Sequence, residues 1–145
     1  METNQQNTLL ELAKSTIRSQ ANAIVQLENQ LTNDFVQAVE MIANANGRFI
    51  ITGIGKSAII AQKIVATLNS TGTPSLFLHA SEAVHGDLGM IQPGDIIICI
   101  SKSGNSPEIK VLVPLLKRHN NILIGMTSDR NSFLGKESHY IMHAH

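Results

Sequence analysis

The stretch Asp95-Ile96-Ile97-Ile98-Cys99-Ile100-Ser101-Lys102-Ser103-Gly104-Asn105-Ser106-Pro107-Glu108 decides the fold. Its five apolar residues from Ile96 to Ile100 run without alternation, so the strand they form is buried on both faces. That is the mark of a parallel strand held between two helical layers. Pro107 stands where the first turn of a helix accepts a proline. Ile109, Leu112, Val113 and Leu116 continue that helix, and Pro114 inside it predicts a kink. Upstream, Gln92-Pro93-Gly94-Asp95 suits a type II turn, with proline and then glycine at its central positions.

The same pattern repeats on either side. Phe49 to Thr52 form a short apolar run ending at Gly53, and a helix is predicted from Ser57 to about Ser70. Thr71-Gly72-Thr73-Pro74 interrupts it, and Ser75 to His79 read as the next strand. Ile122 to Met126 make a fourth strand and Tyr140 to Met142 a short fifth. Strands alternating with helices predict an α/β fold with a doubly wound, five-stranded parallel sheet. Ahead of it, Leu10, Ala13, Ile17, Ile24, Leu27 and Leu31 fall at three- and four-residue steps, with polar Gln20 in the one gap. They predict a helix over Thr8 to Leu31 with a single apolar stripe, to be covered by the domain or by another subunit. A second helix follows, with Asn33 as N-cap, Phe35, Val39 and Ile42 on one face and Gly47 as its stop. There is no linker, repeat or low-complexity tract. The expectation is one domain over 1–145, a helical arm over 8–46 and an α/β core over 47–145.

Composition narrows the function. A chain of 145 residues can hide about two-thirds of its unfolded surface, and 43% hydrophobic content excludes disorder. Eleven basic residues balance eleven acidic ones and aromatics are only 3%, a poor composition for nucleic acid or a membrane surface. Cys99 has no partner for an internal disulfide, which suits a reducing compartment. No apolar run reaches the ~20 residues of a membrane helix. Met1 to Asn7 is polar and unlike a signal peptide. The expectation is a cytoplasmic protein.

In a sheet of this kind ligands bind beyond the carboxyl ends of the strands, so the residues following Thr52, His79, Ile100 and Met126 matter most. Gly53-Ile54-Gly55-Lys56-Ser57 combines glycines with a helix N-terminus, which favours anions. It is not a Walker A loop, because Ile50 stands where that pattern needs glycine. It does fit a loose dinucleotide pattern as Gly53, Gly55 and Ala58, with Glu82 near the place of a ribose-binding acid. It is also compatible with a plain strand-to-helix turn and a solvated Lys56. The loop Ser101 to Glu108 offers three hydroxyls and the free amides of a first helical turn, enough to hold one phosphate. The alternative is that Ser106 only caps the helix. Between the two lies Ser81-Glu82-Ala83-Val84-His85-Gly86-Asp87-Leu88-Gly89, whose His85 is able to take and give protons. His143 and His145 would point the same way from a strand, a thin case for zinc, and no metal or other cofactor is expected. Cys99, inside the buried run, reads as a small core residue.

Gly-Ile-Gly-Lys-Ser at 53–57, Ser-Thr-Gly-Thr-Pro-Ser at 70–75, Glu-Ala-Val-His-Gly-Asp-Leu-Gly-Met at 82–90 and Ser-Lys-Ser-Gly-Asn-Ser-Pro-Glu-Ile at 101–109 resemble the sugar isomerase (SIS) domain. More narrowly they resemble the arabinose-5-phosphate isomerase family, over about Gly47 to Tyr140. The resemblance implies a flavodoxin-like sheet and a phosphorylated sugar as substrate, and the Leu10-to-Leu31 stripe leads us to expect a homo-oligomer, dimer or tetramer. It implies interconversion of D-arabinose 5-phosphate and D-ribulose 5-phosphate, feeding the eight-carbon acidic sugar of lipopolysaccharide and some capsules. It further implies phosphate binding by Ser101, Ser103 and Ser106 with Ser57, alongside Gly55 and Gly104, and functional roles for Lys56, His85 and Glu108. The chemistry fits those side chains: moving a proton between C1 and C2 needs a base, a proton donor for oxygen and positive charge near the oxyanion. Glu108 is the leading base, Lys56 the oxyanion partner, and His85 a ring-opening or proton-shuttling group. Two positions depart from the family: Asn105 replaces a common acidic residue and Lys102 a polar neutral one. Family members also continue beyond the position of His145, so the resemblance implies a truncated chain lacking a final covering helix. Two other functions compete. One is a non-catalytic sugar-phosphate sensor, although residues 8–46 are too short for the helix-turn-helix reader such regulators carry. The other is a dinucleotide-dependent enzyme, which leaves the serine loop unexplained.

Overall fold

The computed structural model describes residues 2–144, the side chains of residues 2–6 and 119 excepted. It divides into two compact units, residues 1–31 and 32–145. The first is the helix α1, Glu2–Gln26, continued by a 3-10 turn over Leu27–Gln30. Its predicted stripe lies open, with Leu10, Ile17, Ile24 and Leu31 between 54% and 68% exposed.

The second unit carries the sheet. Helix α2 (Asn33–Ala43) precedes β1 (Phe49–Gly53), α3 (Lys56–Ser70), β2 (Ser75–His79) and α4 (Ala80–Val84). After a 3-10 turn over Asp87–Met90 come β3 (Ile96–Ile100), α5 (Pro107–Leu116), β4 (Ile122–Thr127), α6 (Phe133–Glu137) and β5 (Tyr140–His143). All pairings are parallel, in the order β2-β1-β3-β4-β5. That is the flavodoxin-like order rather than the dinucleotide-binding one, with the direction of winding reversing between β1 and β3.

The unalternated strands read correctly: every residue of β1 and of β3 is buried. Ile50, Ile97 and Cys99 face one layer with Ile109, Leu112 and Leu116 of α5. Phe49, Ile51, Ile96 and Ile98 face the other, with Ala38 of α2 and Ala61 of α3. The turn before β3 closes as expected, Asp95 N–H donating to the Gln92 carbonyl at 3.1 Å with Gly94 at φ +89°. Helix α5 runs through Pro114 without a break. The N-cap of α2 is Thr32, one residue earlier than predicted, and the helix stops at Ala43, before Gly47. Gly47 has a different task. A Cβ there would collide with the Gly94 backbone, so the chain entering β1 packs directly on the turn that precedes β3.

Candidate functional site

Register places the β1 loop between those of β2 and β3 at the carboxyl edge. Gly53 pairs with His79 on one side and with Ile100 on the other. The loops after β1, β2 and β3 therefore start side by side. Gly53 itself is tight: a Cβ would sit 3.1–3.2 Å from the Ser57 and Ala58 backbone and the Ile100 carbonyl. Gly55 caps α3 at φ +57°, a conformation that favours glycine, with open space where a side chain would stand. Lys56 and Ser57 begin α3, Lys56 exposed and Ser57 half-buried.

The serine loop is held from the β4 side by residues the sequence reading did not assign. The Lys102 carbonyl accepts three donors: Ser128 N–H at 3.0 Å, Ser128 Oγ at 2.8 Å and Thr127 Oγ1 at 3.1 Å. Asn105 Oδ1 accepts from Phe133 N–H at 2.9 Å, and the Gly104 carbonyl from Leu134 N–H at 2.9 Å. Both tie the loop to α6. Asn105 also donates through Nδ2 to the Ser103 carbonyl at 3.1 Å, which a carboxylate could not do. The amide thus has a structural use at a position where the resemblance led one to expect an acid. The one signal for this support was position, because Thr127 ends β4 and Ser128 follows it at the same edge.

Within the loop the groups divide. Gly104 adopts φ +61°, and a Cβ there would run into Ser132. Its N–H turns inward to the Ser101 carbonyl and Oγ, 3.2 Å each, so Gly104 shapes the turn rather than offering an amide. Ser101 is buried, and Ser103 Oγ accepts from Asn105 N–H at 3.3 Å. Both hydroxyls act only as acceptors in these bonds and keep their protons to donate. Ser106 occupies the N-cap of α5, yet its side chain makes no capping bond, and its Oγ is buried without a partner. Its hydroxyl is thus not spent on capping the helix. Behind it the first-turn amides of α5 lack intrahelical acceptors.

His85 and Glu108 meet across one groove of about 270 Å³ between α4 and α5, lined also by Ser81, Val84, Pro107 and Val111. Among the described residues, the side chains of Lys56, His85 and Glu108 have no hydrogen bond or ion pair within the protein. Lys56 stands on the neighbouring β1 loop and does not line this groove. A larger cavity, about 430 Å³, opens at the amino end of the strands beside Phe49 and Pro74. Its one charged side chain, Arg48, is already paired with Asp95 at 2.7 Å, whereas the smaller groove holds an imidazole and a carboxylate. Glu82 is exposed on α4. His143 Nε2 bonds the Ser128 carbonyl at 3.0 Å, and His145 lies outside the described residues. Among the described residues no three His, Cys, Asp or Glu side chains cluster as a metal site would require. Burial pushes the Cys99 thiol up to about 12, leaving it protonated and inert. No helix among the described residues is long and apolar enough to cross a membrane.

A family model, the SIS domain, matches residues 41–145. The chain is 46% identical over 123 residues to an arabinose 5-phosphate isomerase of Yersinia pestis, covering 85% of this chain and 38% of that one. It is 43% identical over 138 residues to an arabinose 5-phosphate isomerase of Escherichia coli strain CFT073, covering 94% and 42%. It spans about two-fifths of the length of the curated relatives it matches. A solved structure from E. coli CFT073, in complex with arabinose 5-phosphate, superposes with a TM-score of 0.88 at 36% identity, covering 94% of this chain and 73% of that one.

Proposed function

The chain belongs to the SIS-domain family, and from that premise we propose that it forms the sugar-phosphate site of an aldose–ketose isomerase acting on D-arabinose 5-phosphate and D-ribulose 5-phosphate. The observation that carries the reading is the shared groove. A carboxylate and an imidazole face one cleft whose α5 wall begins directly after the serine loop. The named activity of the similar proteins and the sugar-phosphate complex of the E. coli structure support the choice of substrate.

The phosphate is held by the hydroxyls of Ser101, Ser103 and Ser106 and by the first-turn amides of α5, with Gly55 and Ser57 closing from the β1 side. This requires few cations, because the helix N-terminus carries a partial positive charge. Glu108, at the start of α5, takes the proton from C2. Lys56 stabilises the negative oxygen of the enediolate, and His85 exchanges protons with the sugar oxygens. In this reading the protein works in the cytoplasm as a homo-oligomer. Its product feeds the eight-carbon acidic sugar of lipopolysaccharide or capsule.

The test is incubation of the protein with arabinose 5-phosphate in deuterated water. Ribulose 5-phosphate should form, and substrate C2 should take up deuterium. Sugar-phosphate binding with no exchange at C2 would instead mark a non-catalytic sensor. Binding of NADH in place of the sugar would return the β1 loop to the dinucleotide reading.

A further inference from the structure

One base-to-hydroxyl contact at the carboxyl edge has no role in the scheme above. His79 ends β2 and pairs in register with Gly53. Ser81 places its Oγ 2.6 Å from His79 Nδ1, and the Ser81 backbone N–H donates to the same nitrogen at 3.4 Å. A backbone N–H can only donate, so Nδ1 is an acceptor. The tautomer that fits this arrangement carries its proton on Nε2, with the Ser81 hydroxyl directing its own proton at Nδ1. Phe77 packs edge-on against the ring, with centroids 6.0 Å apart and planes at 78°, which restrains its orientation. Ser81 also lines the groove shared by His85 and Glu108. A hydroxyl on the cleft is thus backed by an oriented imidazole.

We propose that Ser81 and His79 form a proton relay that opens the sugar ring, a step that rests on the isomerase reading. An aldose 5-phosphate closes a five-membered ring between C1 and O4. The ketose cannot close one, because its C5 oxygen carries the phosphate. Only the aldose therefore needs opening before a carbon-bound proton can leave. Ser81 Oγ takes the proton of the anomeric hydroxyl while its own proton passes to His79 Nδ1. The O1 electron pair forms the C1=O bond, the C1–O4 bond breaks, and O4 takes a proton from water. The hydroxide left behind recovers the Nδ1 proton through Ser81, so charge and protons balance. Ser81 is the catalytic residue of this step, and His79 acts through it.

The two directions of the reaction separate this role from a structural one. Ser81→Ala and His79→Gln are measured for turnover of arabinose 5-phosphate and, separately, for deuterium uptake at C1 of ribulose 5-phosphate, which needs no ring opening. Glutamine still accepts the Ser81 hydrogen bond but cannot take its proton. Aldose turnover should fall toward the uncatalysed ring-opening rate, a loss of up to ~10²–10⁴, while exchange at C1 of the ketose stays at the parent rate. Ser81→Thr, which keeps the hydroxyl, should restore turnover. Unchanged aldose turnover in Ser81→Ala would overturn the relay, as would equal loss of turnover and exchange. If the unsubstituted protein catalyses neither process, the isomerase reading itself fails and the relay with it.

Discussion

At the scale of single residues, Ser106 offers the sharpest test. An ordinary N-cap serine satisfies a backbone donor, and its loss costs about 1 kcal/mol of stability. Ser106 makes no such bond, and its oxygen is buried without a partner. Removing an unsatisfied polar atom is nearly neutral or slightly stabilising. Ser106→Ala should therefore leave the urea midpoint unchanged or raised, yet weaken sugar-phosphate binding by about 1–3 kcal/mol, the worth of a hydrogen bond to a charged group. Loss of stability with affinity intact would return Ser106 to a helix cap. Glu108→Gln should do the opposite to function. It removes no hydroxyl or amide donor, so phosphate affinity persists, but a side-chain amide cannot accept the proton at C2. Turnover should fall by ~10²–10⁴, and deuterium uptake at C2 should fall with it. Uptake at the parent rate would exonerate Glu108 and direct attention to His85.

At the scale of elements, the joint between β1 and the turn before β3 governs acid stability. Asp95 is buried, and its carboxylate accepts from the Arg48 backbone at 2.9 Å, from Arg48 Nε and Nη2 at 3.3 and 2.7 Å, and from Gln92 N–H at 2.8 Å. Burial alone would raise its pKa. The bonds from Arg48 and Gln92 outweigh burial and hold it below the usual carboxylate range. A carboxyl depressed in the folded state stabilises fully above its unfolded pKa, and that contribution is lost as pH falls through the lower folded value. Asp95→Asn should therefore cost about 2–3 kcal/mol at neutral pH. The gap in unfolding free energy from the parent should shrink below about pH 4, as urea titrations at several pH values would reveal. A gap that stays constant into acid would place the stabilisation elsewhere.

Elements also differ in how much of them could be read from the chain. Strands β1 and β3 were legible because burial on both faces leaves an uninterrupted apolar run. Helices α4 and α6 were not, since five residues are too few to show a helical period. Helix α6 is capped locally, Ser132 Oγ accepting from Gly135 N–H at 3.1 Å, but its first amide is held by a residue distant in sequence, Asn105. The serine loop and His85 could be picked out from their place at the sheet edge. The pinning of Lys102 and the pairing of His79 with Ser81 depend on side-chain geometry, which spacing alone does not encode.

At the scale of the whole molecule, the arm over residues 1–31 poses a problem of solvation. Leu10, Ile17 and Ile24 recur every seven residues along α1, with Ala13 and Gln20 between them, the 3.5-residue period of a helix that pairs along one seam, and Leu31 continues the spacing just past the helix. Each large side chain of the first series is more than half exposed, and covering it would gain on the order of 1 kcal/mol. One such stripe is too regular and too apolar to remain in water. A second copy of the same helix offers the matching period, so the protein should sediment as a homo-oligomer at tens of micromolar. Replacing Ile17 and Ile24 together by Glu puts like charges on the seam of every copy and should yield a monomer. The parallel sheet owes nothing to these two side chains, since its core is built from residues 38–134. The variant's circular dichroism beyond the arm, and its sugar-phosphate binding where the site lies within one chain, should therefore persist. A parent protein that is monomeric at this concentration, with α1 amides exchanging freely, would show that the heptad spacing does not bring copies of this chain together.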